Sequence, residues 1–132
     1  MDDNSTQDVQ QVADEEELFR RLTVQNQLAK KTDGTYRPSS AVYRSTLGDI
    51  SVDIASKTTP EESIKDAIAL IGIFAKEPKE LGYPVVEDPI EENLDSGIEE
   101  NQAHALIKVE GTMTQSHARR LAKVSSWVIP PC

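Results

Sequence analysis

Arginine, serine and histidine are the side chains with which proteins hold and transform anions. This chain places Arg37-Pro38-Ser39-Ser40 in one run, with Asp53 and His104 further along. A guanidinium forks onto a carboxylate or phosphate, a serine hydroxyl can attack, and an imidazole can carry the proton. The set suits anion binding or acyl or phosphoryl transfer, with Arg37 as the ligand contact and Ser39, Ser40 and His104 as catalytic candidates. No Gly-x-Ser-x-Gly nucleophile elbow accompanies them. Spacing does not say whether they meet. The competing reading makes Pro38 and the two serines a rigid turn, with serine oxygens accepting from nearby backbone N–H groups, and His104 a half-buried strand residue.

A second group lies near the C-terminal end, where Gly111-Thr112-Met113-Thr114 runs into a basic amphipathic stretch containing Arg119 and Arg120. Free N–H groups at a helix start favour an anion, and Gly111, Thr112 and Thr114 would add close backbone approach and hydroxyls. The alternative is an ordinary capped helix with a solvated basic face. The spacing is not that of a P-loop, because no Gly-Lys-Ser/Thr follows. A third group is the acidic run Glu87, Asp88, Glu91, Glu92, Asp95, Glu99 and Glu100. It has the oxygen ligands that calcium or magnesium takes but lacks an Asp-x-Asp-x-Asp-Gly register, so it reads as a solvated charge run. Two histidines thirteen residues apart and one cysteine, Cys132, make neither a zinc site nor an internal disulfide. No metal and no cofactor is expected.

The elements that must position these groups follow from local patterns. Asp14-Glu15-Glu16-Glu17 before Leu18-Phe19-Arg20-Arg21-Leu22 sets acids ahead of bases, which predicts a short helix over Asp14–Thr23. Asp33-Gly34 predicts a turn, Ala41–Ser45 a short strand, and the alternation in Ile50–Ile54 a half-buried strand. Thr59-Pro60-Glu61-Glu62 opens a helix, with Thr59 as N-cap and Pro60 in the first position. Periodicity leaves Leu70–Ala75 as either the end of that helix or a buried strand. Lys76–Leu81 reads as a helical turn closed by Gly82, and Tyr83–Val86 as an edge strand. Residues 87–102 read as a long acidic loop. His104–Glu110 is the clearest strand. A final helix starts at Thr114 and sets Ala118, Leu121, Ala122, Ser125 and Val128 on one face, with Trp127 as an apolar anchor.

With 132 residues the chain has the size of one domain. Residues 1–13 are polar and acidic and are expected to form a disordered arm ahead of a single domain, 14–132. The fold class expected is α+β: a mixed or antiparallel sheet of about four strands packed by two main helices. The net charge is −9, but residues 1–17 and 87–100 each carry seven acids and no base, which leaves +5 on the rest. The molecule as a whole should be repelled by nucleic acid and anionic membranes, while a local basic face stays open. No run approaches the roughly 20 apolar residues of a membrane span. Nor does the N-terminus have the basic and apolar regions of a signal peptide, or the C-terminus a prenylation box. A cytoplasmic location is expected.

The run Tyr36-Arg37-Pro38-Ser39-Ser40-Ala41-Val42-Tyr43, followed by Ser51-Val52-Asp53, resembles a family of small prokaryotic proteins of unknown function. Asn101-Gln102-Ala103-His104-Ala105 and Ala118-Arg119-Arg120-Leu121-Ala122 extend the resemblance, which covers about residues 18–128. It implies no activity. The residues alone therefore support two readings. One is an interaction module whose acidic surfaces meet a basic protein partner. The other is a small enzyme or ligand-binding domain for a phosphate- or carboxylate-bearing substrate, using Arg37, His104 and the start of the last helix. Convergence of Arg37, Ser39, Ser40 and His104 on one point would favour the second. The oligomeric state is not legible.

Overall fold

Short apolar runs separated by turns build short elements, and most of them here are strands. The computed structural model describes residues 10–44 and 47–131. Its strands are β1 (Glu17–Leu22), β2 (Leu28–Lys30), β3 (Tyr36–Pro38), β4 (Ile50–Ile54), β5 (Ala69–Phe74), β6 (Val85–Glu87), β7 (His104–Ile107) and β8 (Ser126–Ile129). Its helices are α1 (Ala41–Arg44), α2 (Pro60–Ile64), α3 (Lys76–Glu80) and α4 (Gln115–Val124). Six strands form one antiparallel sheet in the order β6-β7-β4-β1-β5-β8, and β2 and β3 pair separately. The expected four strands under two main helices are thereby corrected. Eight strands dominate, and α4, at ten residues, is the longest helix among the described residues.

The difference has three local causes. Glu17–Leu22 was expected to be helical, yet it forms the centre of the sheet, paired with β5 from Glu17↔Phe74 to Leu22↔Ala69 and with β4 through Leu18↔Ile54. Its arginines are satisfied across the sheet rather than by a helix dipole. The Arg20 guanidinium donates to the carbonyls of Val42 (3.1 Å) and Ser51 (3.0 Å), and Arg21 Nη1 to the carbonyl of Ser63 (2.8 Å). Tertiary partners thus override a weak local preference. The ambiguous run Leu70–Phe74 resolves as strand. Helix α2, capped as expected by Thr59 Oγ1 accepting from the Glu62 N–H at 3.2 Å, ends at Ile64, and Lys65 turns the chain with φ 50°. In β5 the residues from Ala69 to Ile73 are all buried, which is why they alternate so little in hydropathy. The last helix is the third case. It starts at the Thr114 cap but stops at Val124, so Trp127 and Val128 belong to β8, an edge strand on β5.

Other segments depart less. Ala41–Arg44 is a single helical turn rather than a strand, and Ser45 lies outside the described residues. The acidic loop is not open chain. Bridges Ile90↔Asn101 and Asn93↔Ile98 fold it into an irregular hairpin, closed by Asn93 Oδ1 accepting from the Asp95 and Ser96 N–H groups. Residues 1–9 of the expected arm and Cys132 fall outside the described residues. Gln10 to Val12, however, run along β6: the Val12 N–H donates to the Val85 carbonyl, and Val12 is buried in the core. That core joins Leu18, Leu22, Ile50, Ile71, Ile73 and Ile107 of the sheet to Tyr43 of α1 and Ala118 and Leu121 of α4. Among the described residues no helix is long and apolar enough to cross a membrane.

Candidate ligand-binding cleft

The β2–β3 hairpin turns at Asp33-Gly34, where Gly34 takes φ 89° and Asp33 Oδ1 accepts from the Thr35 amide (3.0 Å) and hydroxyl (2.6 Å). That turn sets Lys31 beside Tyr36 and Arg37. Helix α4 brings Arg119 and Lys123, four residues apart and therefore on one face. Strand β8 adds Trp127, whose indole N–H donates to the Tyr36 carbonyl at 3.2 Å and ties the hairpin to the sheet edge. Together these three elements enclose a cleft of about 610 Å³ lined by Lys31, Tyr36, Arg37, Arg119, Lys123 and Trp127, with Pro38, Ala122, Ser125 and Ser126 completing it. Four cations and no carboxylate are in that lining.

None of the ion pairs found among the described residues involves Lys31, Arg37, Arg119 or Lys123. Asp33 lies in the same turn as Lys31, and its carboxyl is held below its usual range by the Thr35 hydroxyl first and the Thr35 amide next, with Lys31 adding to the effect. The Arg37 guanidinium donates to the neighbouring Pro38 carbonyl at 3.4 Å and to no other group among the described residues. Like charges gathered without counter-charges raise one another's free energy, and an anion relieves that cost.

The candidates singled out in the sequence divide between separate places. Arg37 and Arg119, far apart in the chain, line the same cleft. Ser39 Oγ donates to the Asn26 carbonyl (2.7 Å) and accepts from the Ala41 N–H (3.2 Å), the latter being the turn-satisfying role, whereas Ser40 Oγ accepts from the distant Gln115 Nε2 (3.0 Å). His104 is buried in β7, with Nδ1 2.9 Å from the Asp88 carbonyl oxygen and 3.1 Å from Asp88 Oδ2. In the sheet order, β7 and β8 are four strand spacings apart, about 19 Å. The cleft at the β8 edge that holds Arg37 is therefore remote from His104, and among the described residues no hydrogen bond links either serine to that histidine. Thr114 Oγ1 accepts from the His117 N–H at 3.2 Å as an N-cap, and Gly111, at φ 74°, accepts from the Gly48 N–H at 2.7 Å through its carbonyl. Gly111, Thr112, Thr114 and Arg120 are absent from the cleft lining. Sequence reasoning passed over Lys31 and Tyr36 as candidate ligand contacts and took Trp127 first as a core anchor. The one available signal was the basic spacing of Arg119 and Lys123.

A second cavity, of about 670 Å³, has the opposite character. Asp53, Glu61, Glu62, Asp66, Glu99 and Glu100 outnumber Lys57 and Lys65 around it. At its base Asp53, 3% exposed, accepts from Ser63 Oγ (2.6 Å), Asn101 Nδ2 (3.0 Å) and Arg21 Nη1 (3.3 Å). Among the described residues no group of three or more His, Cys, Asp or Glu is arranged to hold a metal ion. No family model, curated protein or solved structure matches this chain.

Proposed function

We propose that this protein is a binding module for a small anionic ligand, held in the cleft between the β2–β3 hairpin, α4 and β8. One observation carries the reading: four cations, two from the hairpin and two from α4, line a single concavity without a carboxylate, in a chain whose net charge is −9. The dispersal of Ser39, Ser40 and His104 supports binding rather than turnover, because no nucleophile–base pair faces the cleft. The cytoplasmic address and the kinship to a small prokaryotic family belong to the same proposal.

Titration with inorganic pyrophosphate at low salt, followed by amide chemical shifts, tests it. Saturable shifts centred on Arg37, Arg119 and Lys123 are expected. The double substitution Arg37→Gln, Arg119→Gln should weaken binding by at least about tenfold, since hydrogen bonds to charged groups contribute roughly 1.5–3 kcal/mol each. Equal affinity in the double variant, with its thermal midpoint unchanged, would overturn the proposal. So would the absence of saturable shifts at tens of millimolar.

A second reading rests on the acidic cavity and the adjoining hairpin 88–103, which together offer a surface for a basic protein. Under it, charge reversal at Glu99 and Glu100 would abolish capture of a basic partner and leave pyrophosphate binding intact.

A further inference from the structure

The cleft combines its cations with two aromatic rings, and that combination narrows the ligand. We infer that the occupant is a nucleoside phosphate carrying more than one phosphate group, its base against Tyr36 and Trp127 and its phosphates on Arg37, Arg119, Lys123 and Lys31; the inference rests on the cleft being an anion site. Trp127 is half-buried and has given its only hydrogen-bond donor to the Tyr36 carbonyl, so what it offers a ligand is ring surface. Tyr36 is 37% exposed, and its hydroxyl has no hydrogen-bond partner among the described residues. Flat apolar surface beside a tyrosine hydroxyl suits a nucleobase, which stacks through its π-face and hydrogen-bonds at its edge.

Charge and size point the same way. Four cations and no carboxylate line the cleft, a charge of the size that a nucleoside di- or triphosphate balances. Two of the four cations are arginines, whose planar forks match phosphate oxygens in pairs. A cavity of about 610 Å³ lies inside the range of roughly 300–1,000 Å³ usual for small-ligand sites. A long polyanion would meet the acidic cavity and hairpin as well, and these repel it.

Trp127 is the chain's only tryptophan, so its fluorescence reports the cleft without labelling. ADP, pyrophosphate, adenosine and a single-stranded oligonucleotide of about ten bases are titrated into the full chain at low salt. ADP should quench Trp127 and bind about tenfold or more tighter than pyrophosphate, adenosine should bind weakest, and the oligonucleotide should bind no tighter than ADP. Tyr36→Ser, at a partly exposed position, should remove most of the advantage of ADP over pyrophosphate. Equal affinities for ADP and pyrophosphate would overturn the nucleoside assignment while leaving the anion cleft standing. Binding of neither would remove both. An oligonucleotide binding well above ADP would replace the small ligand with a nucleic acid strand.

Discussion

Replacing Asp53 by alanine should destabilise the fold more than any substitution in the ligand cleft. The carboxylate is 3% exposed and accepts three side-chain hydrogen bonds, from Ser63, Asn101 and Arg21. Removing one member of a buried ion pair typically costs about 3–5 kcal/mol, because the other charge is left unpaired. Arg21 is 31% exposed on its side chain and keeps the Ser63 carbonyl at 2.8 Å, so water and that carbonyl offset part of the loss. Ser63 is 1% exposed, and its hydroxyl would lose its only side-chain partner, at about 1–3 kcal/mol. Asn101 is half-buried and can turn outward. The balance is about 3–4 kcal/mol, a large fraction of the roughly 5–15 kcal/mol that holds a domain together. Urea unfolding followed by Trp127 fluorescence measures it. Asp53→Asn keeps an acceptor for Ser63 and should cost about half as much. Arg21→Ala and Asp53→Ala should combine to less than the sum of their separate effects, by 1 kcal/mol or more. A loss below about 1 kcal/mol for Asp53→Ala, or strict additivity with Arg21→Ala, would refute the reasoning.

Two further outcomes follow from the same coordinates. Burial pushes the Tyr43 phenol up to about 12, against the lowering effects of its Ser125 hydrogen bond and the Arg20 charge. Because the folded value lies above the ordinary one near 10, the contribution is complete below pH 10 and is lost as pH rises toward 12. Wild type should therefore lose about 3 kcal/mol relative to Tyr43→Phe across that window, read from paired urea midpoints. At Gly72 an added Cβ would overlap the Glu17 carboxylate and lie 3.1 Å from Val128 Cγ2. The carboxylate is the free end of a flexible side chain, whereas Val128 sits in paired β8. Gly72→Ala should thus lower stability by about 1 kcal/mol, with a Val128→Ala background restoring much of it.

What could be read from the sequence was what depends on near neighbours. Thr59 with Pro60 and Glu62, and Thr114 ahead of α4, are caps whose partners lie three residues away, and both start their helices where expected. The elements that went astray are those decided by distant partners. Arg20 and Arg21 looked like the basic end of a helix because nothing local shows that the carbonyls of Val42, Ser51 and Ser63 await them. Trp127 and Val128 continued a helical face in sequence, but Ile71 and Gly72 of β5 recruit residues 126 and 127 as a strand once Ser125 caps the helix. The site shows the same division. Arg37 and Arg119 were each recognisable as candidate anion contacts, but their meeting depends on a hairpin and a helix packing at the β8 edge. His104 drew attention by residue type, and its Asp88 partner is set by pairing between β6 and β7.

The net charge of −9 predicts repulsion of polyanions by the molecule as a whole, yet it does not weigh equally on every ligand. At physiological ionic strength, charges are screened over about 8 Å. The acidic hairpin leads into β7, and β7 stands about 19 Å from β8 by strand count. A ligand confined to the cleft therefore feels Lys31, Arg37, Arg119 and Lys123 and little of the hairpin. A strand of nucleic acid long enough to leave the cleft is exposed to the acidic residues in turn. On the proposed reading, the distance between the cleft and the acidic hairpin would act as a size filter that favours a compact anion over an extended one. Raising the salt should accordingly weaken a nucleotide, whose attraction is local and electrostatic, and narrow the margin by which it outcompetes an oligonucleotide.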